Sequence, residues 1–420
     1  MKKLKFSTKP IITKVKDVNR IAIEVFFPIK TDIKDTVKKN LLVRCVSSYN
    51  NNYRDPKAFL EAQDSLYIIN FGSKVLTYNE ISYLKFSMMI PKEGIIDEFD
   101  LEKALQFFYD SIYNPYVDKD SFNEEIFKSE RDFLLEREKV FPRDIYDYVY
   151  NEYYKFIDKD ETYGITHEHY IEGLNKITAK ELYEFYKSSV LDNKYFVYIS
   201  GSIKDKKHIE DTFNKIFKKK YINYVINSNF CRFEKDYEYK HKEETTKYNQ
   251  SVLFMHYVIK ELKEKELAYF SMLYYILNSK ENALIYNALR TDNSIVYSSK
   301  MKDKKRYGYF DIVVYFNDRN YEEIKDIVNK AIHSLYDEKF FKECKDRLVK
   351  SLGYDLLIEE DEPFAKVFEM IESSISNSLT FEKKLKLIKE IDYDSFISFL
   401  ERLTLTKTYL FKGGDKNVKG

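Results

Sequence analysis

The stretch FEKDYEYKHKEETTKYNQ, residues 233–250, divides the chain into two halves. It is almost wholly polar, which is typical of an exposed connector between folded regions. After it, the order of predicted strands and helices begins again. The chain has 420 residues, enough for two to four domains at roughly 100–200 residues per domain. We therefore predict one domain at residues 1–217, a polar connector at 218–248 and a second domain at 249–420.

Each half has an apolar strand, helices, a pair of strands, a helix, a long helix and a last strand. The first half carries this order in RIAIEVFFPI (20–29), DTVKKNLLVRCVSSY (35–49), PKAFLEAQDSLY (56–67), KVLTYNEISYLKFSMMIP (74–91), DLEKALQFFYDSIYNP (100–115), FNEEIFKSERDFLLEREKVF (122–141) and KYFVYISGSI (194–203). The second half carries it in SVLFMHYV (251–258), KELAYFSMLYYILN (265–278), ENALIYNALR (281–290), SIVYSS (294–299), GYFDIVVYF (308–316), YEEIKDIVNKAIHSLY (321–336), a long helix near 338–358 and KTYLFKG (407–413). The halves do not match residue by residue. The pattern predicts an α+β protein of two similar duplicated domains, each a mostly antiparallel sheet with helices on one face, forming a clamshell around a cavity.

The charge balance argues against a nucleic-acid partner. The chain has 70 Lys and Arg against 69 Asp and Glu, a formal net charge of +1. Nucleic-acid-binding proteins usually carry a basic excess or a basic stripe, and the short run FKKKY (217–221) is typical of a solvated helix face. No window of 18 apolar residues and no apolar signal region after MKKLKFSTKP occur, so we expect no membrane association and a cytoplasmic location.

Motifs for a complete active site are absent from the sequence. Neither HExxH nor GxSxG occurs, and no glycine-rich phosphate-binding motif occurs either. The three cysteines, Cys45, Cys231 and Cys344, are odd in number and widely spaced, which excludes a disulfide framework and a zinc knuckle. The close pair His167 and His169 lies in the polar segment GITHEHY, where we expect a solvated loop rather than a metal site.

One pair of residues could contact a peptide. In ALRTDNSIVYSS (288–299), Arg290 ends a predicted helix and Tyr297 lies in the strand that follows a short turn. If the turn is tight, the guanidinium and the phenol reach one cleft and can hold a peptide carbonyl or carboxylate. On spacing alone, the favoured explanation is structural: an arginine at a helix C-terminus suits the helix dipole, and a tyrosine in a strand is ordinary packing.

Four segments together carry a family resemblance. They are DLEKALQFFYDSIYNPYVDKDSF (100–122), GLNKITAKELYEFYKSSVLDNKYFVYISGSI (173–203), NQSVLFMHYV (249–258) and ALIYNALRTDNSIVYSS (283–299). In this order they resemble the insulinase/pitrilysin family, which includes the mitochondrial processing peptidases and many bacterial zinc proteases. The last segment is similar to the family's L-R-E-x-x-G-L-A-Y-S. It keeps the spacing from Arg290 to Tyr297, with Ser294 in place of the glycine.

The resemblance also shows what is missing. Active members carry H-x-x-E-H on a first-domain helix, where the histidines bind zinc and the glutamate is the general base. On NLLVRCVSSYN (40–50) these positions fall on Asn40, Val43 and Arg44. The third ligand, a glutamate of a later helix, falls near Arg137, between Glu136 and Glu138. The resemblance therefore implies a structural helix at 35–49, no cofactor in this chain and no catalytic residue in it.

Zinc-less members of this family pair with a zinc-bearing paralogue, and the resemblance implies such a partner here. The closest likeness, supported by LKLIKEIDYDSFISFLERLTLTKTYLFKG (385–413), is to the type associated with elongation factor P modification in Gram-positive bacteria. Arg290 and Tyr297 would then bind a peptide substrate at the partner's zinc. An edge strand around 75–78 could also take an extended peptide. The alternatives are a scaffold or interaction protein of the same fold and an unrelated duplicated α+β binding protein.

Overall fold

A computed structural model describes residues 2–67, 69–78, 81–158, 165–218, 221–228, 237–263, 266–278, 283–291, 296, 298–304, 307–317, 321–376 and 378–414. The strands are β1 (Lys2–Ser7), β2 (Ile11–Lys14), β3 (Arg20–Lys30), β4 (Asn70–Tyr78), β5 (Ile81–Pro91), β6 (Val117–Asp118), β7 (Ser121–Phe122), β8 (Phe196–Gly201), β9 (Asn223–Ser228), β10 (Lys240–Thr245), β11 (Ser251–Ile259), β12 (Ser298–Lys304), β13 (Tyr309–Phe316) and β14 (Leu403–Lys412). The helices are α1 (Thr36–Cys45), α2 (Pro56–Ser65), α3 (Leu101–Tyr113), α4 (Glu124–Lys139), α5 (Ile145–Ile157), α6 (His167–Lys176), α7 (Ala179–Tyr186), α8 (Lys206–Phe217), α9 (Leu267–Asn278), α10 (Leu284–Tyr286), α11 (Tyr321–His333), α12 (Glu338–Asp361), α13 (Ala365–Ser376), α14 (Phe381–Glu390) and α15 (Tyr393–Leu400). Short π-helical turns follow α7 and α10, at Lys187–Leu191 and Asn287–Thr291.

The chain forms two compact units, and neither is contiguous in sequence. Unit 1 comprises residues 1–141, 160–229 and 360–378, and unit 2 comprises residues 142–159, 230–359 and 379–420. The units differ from the predicted contiguous domains because each half contributes one helix to the other unit. Helix α5 belongs to unit 2 and helix α13 to unit 1.

The α+β prediction is confirmed, and so is the duplication. Unit 1 contains a five-stranded sheet in the order β2-β8-β3-β5-β4, and unit 2 one in the order β10-β14-β11-β13-β12. In both sheets the first pair of strands is parallel and the other three pairs are antiparallel. Strand by strand, β2, β8, β3, β5 and β4 therefore correspond to β10, β14, β11, β13 and β12. The clamshell around a cavity stays a prediction.

A glycine occurs at the equivalent position in each unit, at the end of the corresponding strands β8 and β14. Gly201 ends β8 with a φ of +145°, and a Cβ there would lie 2.3 Å from the carbonyl oxygen of Arg20, at the start of β3. Gly413 follows the corresponding strand, β14, and a Cβ there would lie 2.6 Å from the carbonyl oxygen of Asn249, just before β11. At each place the backbone of one strand approaches its neighbour too closely for a side chain. The duplication therefore extends to individual residues.

Each sheet has two buried faces. In unit 1 the alternation along β3 sends Ile21, Ile23, Val25 and Phe27 to a core shared with α1, α3, α7 and α8. Ala22 and Phe26 point to the opposite face, where a smaller core includes residues of α13. In unit 2 the larger core includes residues of α9, α11, α12 and α15, and the smaller one residues of α5. Most of the helices that the structure describes therefore lie on one face of each sheet, as predicted. Among them, α13 in unit 1 and α5 in unit 2 pack on the other face, called here the inner face.

Helices α5 and α13, called here the crossing helices because each joins the unit formed mainly by the other half of the chain, are fixed to their sheets by tyrosines. In unit 1 the hydroxyl of Tyr83 donates to the carbonyl oxygen of Ile375 at 2.8 Å, and that of Tyr198 lies 2.6 Å from Ser374 Oγ. In unit 2 the hydroxyl of Tyr148, on α5, donates to Glu244 Oε1 at 2.8 Å. Glu244 lies on β10, the exposed edge strand KHKEET within the segment predicted as a connector. Its parallel pairing with β14 turns a polar sequence into part of the sheet.

Candidate functional site

Helix α1 carries the positions where the resemblance places a zinc motif. It packs in the larger core of unit 1, and Val43 on it is 8% exposed. The carbonyl oxygen of Val43 accepts a hydrogen bond from Ser73 Oγ of β4 at 2.7 Å. An isopropyl side chain neither binds a cation nor accepts a proton, so this position has no general base.

The guanidinium of Arg44 connects α1 to α4. Its Nε and Nη2 lie 2.7 Å and 2.6 Å from Oε2 of Glu130, whose side chain is buried. Its Cζ lies 4.0 Å from the centre of the Phe133 ring, which adds a cation–π contact. An ion pair therefore joins the two helices that, by the resemblance, would share a metal ion.

Asn40 and Arg137 approach the same place. Nδ2 of Asn40 donates to the hydroxyl of Tyr170 at 3.4 Å. Burial raises the pKa of Tyr170, while this hydrogen bond and the positive charges of Arg137 and Arg44 oppose the shift. Arg44 and Arg137 thus lie at or near the positions where the resemblance places metal ligands, and each is paired with a carboxylate, Glu130 and Glu138 respectively. A guanidinium has no free electron pair with which to bind a metal ion. Across the described part of the chain, no three His, Cys, Asp or Glu side chains are grouped to hold a metal ion.

The histidine pair is not in a loop, and that prediction is wrong. His167 and His169 lie in the first turn of α6. Thr166 is the N-cap residue of this helix, and its side-chain oxygen accepts a hydrogen bond from the backbone N–H of His169. The His167 ring stacks on Phe141, with centroids 3.8 Å apart, and its Nε2 lies 3.4 Å from Glu138 Oε2. The polar residues suggested a loop, but Thr is a preferred N-cap residue, so Thr166 was an available signal for the start of a helix. His167 contributes to packing between α4 and α6.

The predicted substrate-binding pair is described only in part. Arg290 lies in the π-helical turn after α10, where its side chain is exposed and its Cζ is 5.6 Å from the centre of the Tyr286 ring. Tyr297 lies outside the described residues. Strand β12 begins at the next residue, Ser298, and forms the edge of the unit 2 sheet. A shared cleft for Arg290 and Tyr297 stays a prediction.

The thiols are not placed for chemistry. Cys45 and Cys344 are buried, and burial raises the pKa of both thiols, so neither is an accessible thiolate nucleophile. Cys231 lies outside the described residues.

The predicted edge strand around 75–78 is part of β4, which lies at the edge of the unit 1 sheet. Among the helices that the structure describes, none has the length and hydropathy needed to cross a bilayer.

Unit 1 contains a buried charged pair that was not among the residues predicted from the sequence. Glu24 of β3 and Lys85 of β5 form an ion pair on the inner face, with side chains 5% and 13% exposed. The Lys85 ammonium also lies 5.5 Å from the centre of the Phe26 ring. A signal was available in the sequence, because Glu24 is the single charged residue within the apolar run IAIEVFF. A charge at such a place is buried at a cost unless it has a partner.

Unit 2 has a corresponding buried network. Nδ1 of His256, on β11, lies 2.7 Å from Oδ1 of Asp311, on β13. Tyr153 of α5 donates its hydroxyl to the same carboxylate, and burial beside Asp311 raises the pKa of Tyr153 well above its usual value. His256 and Asp311 likewise interrupt apolar strands, SVLFMHYV and GYFDIVVYF. Each sheet therefore has a buried acid and a buried base on its inner face. The acid lies on β3 in unit 1 but on β13, the counterpart of β5, in unit 2.

Comparison with known proteins gives a family match in the middle of the chain. Residues 176–352 match the family described as Peptidase M16 inactive domain. A curated relative, "Probable inactive metalloprotease YmfF" of Bacillus subtilis (strain 168), is 24% identical over 188 residues, which are 44% of this chain and 44% of the relative. The matched region thus spans less than half the length of that relative.

Solved structures match the whole fold. A conserved protein from Enterococcus faecalis V583 superposes with a TM-score of 0.81 at 15% identity, over 97% of this chain and 96% of that one. The periplasmic protease PqqL from Escherichia coli superposes with a TM-score of 0.66 at 13% identity, over 97% of this chain but 46% of that one. The chain has the M16-like fold, at half the length of PqqL. This likeness argues against an unrelated duplicated fold.

Proposed function

We propose that this chain is a non-catalytic subunit of a two-chain zinc peptidase. Its partner is a zinc-bearing paralogue, and its own unit 2 supplies groups that hold the peptide substrate. The observation that carries the proposal is the state of α1. By the resemblance, Val43 and Arg44 stand where a zinc peptidase has a general base and a metal ligand, and Arg44 is held there in an ion pair with Glu130.

The charges at α1 support the absence of catalysis by this chain alone. Zinc hydrolysis needs neutral histidines, a carboxylate ligand and a base that takes a proton from the attacking water. Arg44 and Arg137, at or near the expected ligand positions, are permanently protonated and offer no electron pair to a metal ion. The match of residues 176–352 to an inactive M16 domain supports the same conclusion.

The proposed partner rests on the family resemblance, in which zinc-less members pair with a zinc-bearing paralogue. The partner that fits is a paralogue of similar size with an intact zinc helix. The elongation factor P-associated type of Gram-positive bacteria is the subtype we favour, in a cytoplasmic setting, and the similarity to the inactive YmfF of Bacillus subtilis agrees with a zinc-less subunit.

Arg290 is the residue we expect to reach the substrate. It is exposed at the end of the π-helical turn, directly before the segment that leads to the edge strand β12. A guanidinium offers several N–H donors in a fixed plane and can hold a peptide carbonyl or carboxylate with two hydrogen bonds. We propose that Tyr297 acts together with Arg290 and that the pair would stabilise negative charge that develops on the carbonyl oxygen at the partner's zinc.

Turnover by the reconstituted pair tests this role. Replacing Arg290→Ala should lower kcat/KM by about 100-fold, the usual effect of losing one donor to a developing oxyanion. Arg290→Lys should recover only part of the activity, because lysine keeps the charge and loses the paired geometry. Arg347→Ala, an exposed arginine of α12 whose Nη2 lies 3.3 Å from Cys344 Sγ, is the matched control and should leave turnover unchanged.

The alternative function is a scaffold of the same fold with no part in proteolysis. Under that alternative, a complex still forms, but Arg290→Ala and Tyr297→Phe leave turnover of the partner as it was. A loss of turnover without a loss of binding between the chains would instead support the peptidase subunit.

A further inference from the structure

A groove lies on the inner face of the unit 1 sheet, beside helix α13. It has a volume of about 400 Å³ and is called here the α13 groove. Its floor is formed by inward-facing residues of β3, β5 and β4, and one wall by Phe368, Ile371 and Ile375 of α13. Volumes of this size and a mostly apolar lining are typical of small-ligand sites.

The floor of the groove contains an incompletely paired carboxylate. Oε1 of Glu24 binds the ammonium of Lys85. Its Oε2 is buried and has no hydrogen-bond partner among the residues that the structure describes. A carboxylate oxygen that is removed from water and left without a donor is destabilising. The geometry of the groove therefore favours a ligand that brings a hydrogen-bond donor to this oxygen.

Unit 2 shows how the same fold satisfies such an acid internally. There, Asp311 accepts from the Tyr153 hydroxyl of the crossing helix α5 and pairs with His256. Two further tyrosines of α5 cover the edge of that sheet: Tyr146 packs on Tyr315 with centroids 4.9 Å apart, and the Lys302 ammonium lies 3.3 Å from the Tyr150 ring centre. In unit 1 the crossing helix α13 brings no such hydroxyl to Glu24, and the groove remains open beside β4.

We infer that the α13 groove binds an aliphatic chain that ends in an ammonium or guanidinium group, such as a lysine or arginine side chain of a peptide. The apolar side chains of Phe26, Leu76 and Ile371 would surround the aliphatic stem, in the way that lysine stems cover apolar surface. The charged end would donate to Glu24 Oε2. A charge-assisted hydrogen bond of this kind is roughly twice as strong as one between neutral groups.

The other charges of the groove agree with one bound cation. Glu24 and Lys85 neutralise each other, so the pair alone gives no net attraction. Glu372 of α13 adds a second carboxylate that lines the groove, and burial together with the charge of Glu372 raises the pKa of Tyr78. Lys74 also lines the groove, but its side chain is exposed and can turn to solvent. An anionic ligand would meet both carboxylates, which disfavours it.

This site lies within unit 1 and does not depend on the proposed peptidase role. The test uses the full chain alone, with hexylammonium, hexanol and hexanoate as probes that share one chain and differ in the end group. Methyl NMR of methionines gives the readout, because Met89 lines the groove and Met255 lies in the core of unit 2. Saturable shifts at Met89 should require at least tenfold less hexylammonium than hexanol, and hexanoate should give none.

Variants separate the carboxylate from the cavity. Glu24→Gln together with Lys85→Gln removes both buried charges and leaves neither partner charged alone, which protects the fold better than the single change. Hexylammonium should then bind at least tenfold more weakly, and the ligand-free variant should keep the signal of Met88, in the larger core of unit 1, as proof that this unit is folded. Equal responses to hexylammonium and hexanol would overturn the inference in favour of a simple apolar pocket. No response at Met89 to any probe would overturn it in favour of a cavity that holds only water.

Discussion

Removing the guanidinium of Arg44 should loosen helix α1 from helix α4. The change Arg44→Met keeps an unbranched apolar stem and deletes the charge. Glu130, which is 7% exposed, then loses its contacts at 2.7 Å and 2.6 Å, and Phe133 loses its cation. The carboxylate would be left buried without its counter-ion, which is the costly way to break an ion pair.

The magnitude follows from the burial of the two partners. Breaking a fully buried pair from one side costs about 3–5 kcal/mol, and a surface pair is worth about 0–1 kcal/mol. The Arg44 side chain is 34% exposed and that of Glu130 10%, so we place this pair between those limits. Together with the cation–π contact, the expected loss is about 2–3 kcal/mol.

Hydrogen exchange measured by mass spectrometry on peptides from α1 and α4 gives this loss locally. Urea unfolding followed by far-ultraviolet circular dichroism gives the global effect, since the chain has no tryptophan. Lys139→Met, which removes an exposed ion pair with Glu136 on the same helix, is the control and should leave exchange unchanged. Arg44→Met with Glu130→Met should recover most of the loss, because no charge is then stranded. If Arg44→Met behaves like Lys139→Met, the ion pair is not what holds α1 to α4.

Three further predictions concern single residues. Gly201→Ala should destabilise unit 1 by about 2–3 kcal/mol in urea unfolding, because the φ of +145° at Gly201 and the nearby carbonyl of Arg20 exclude a Cβ. A variant as stable as the wild type would contradict this. Gly353→Ala on α12, where a Cβ meets nothing within 4 Å, should stabilise by about 0.5–1 kcal/mol in the same assay, and a loss would show that the site is crowded. Lys407 is 6% exposed, and burial lowers its pKa to about 8, so the folded chain releases this proton before the unfolded chain does. Stability should therefore rise between pH 8 and pH 9.5 relative to Lys407→Met, by about 1–2 kcal/mol after allowance for solvent near the ammonium, and parallel pH profiles would refute this.

Much of the fold could be predicted from the pattern of apolar residues. Apolar runs such as 20–29, 251–258 and 308–316 are central strands with both faces buried, and they have the predicted type and place. The repeated order of elements gave the duplication, which the identical strand orders bear out. Strand β10 was missed because its sequence, KHKEET, is polar, and the hydrogen bonds to β14 that form it are not visible in local sequence.

The exchange of helices between the halves is a tertiary choice that sequence order conceals. Helices α5 and α13 are amphipathic like their neighbours, and nothing in their spacing says which sheet they cover. The charged residues Glu24, His256 and Asp311 inside apolar strands were the available sign of inner-face networks. Their partners, however, lie on other strands, and in unit 2 on a helix from the other half. The loss of the zinc motif on α1 could be inferred from the sequence, because Val43 and Arg44 differ chemically from a general base and a metal ligand.

The most direct test of the account is the metal content and activity of three samples: this chain alone, the zinc-bearing paralogue alone, and the two mixed in equal amounts. We predict no stoichiometric zinc in this chain and zinc in the paralogue. Cleavage of a mixed peptide library should appear or rise strongly only in the mixture, with one zinc per pair. Stoichiometric zinc in this chain together with peptide cleavage by it alone would contradict the central claim.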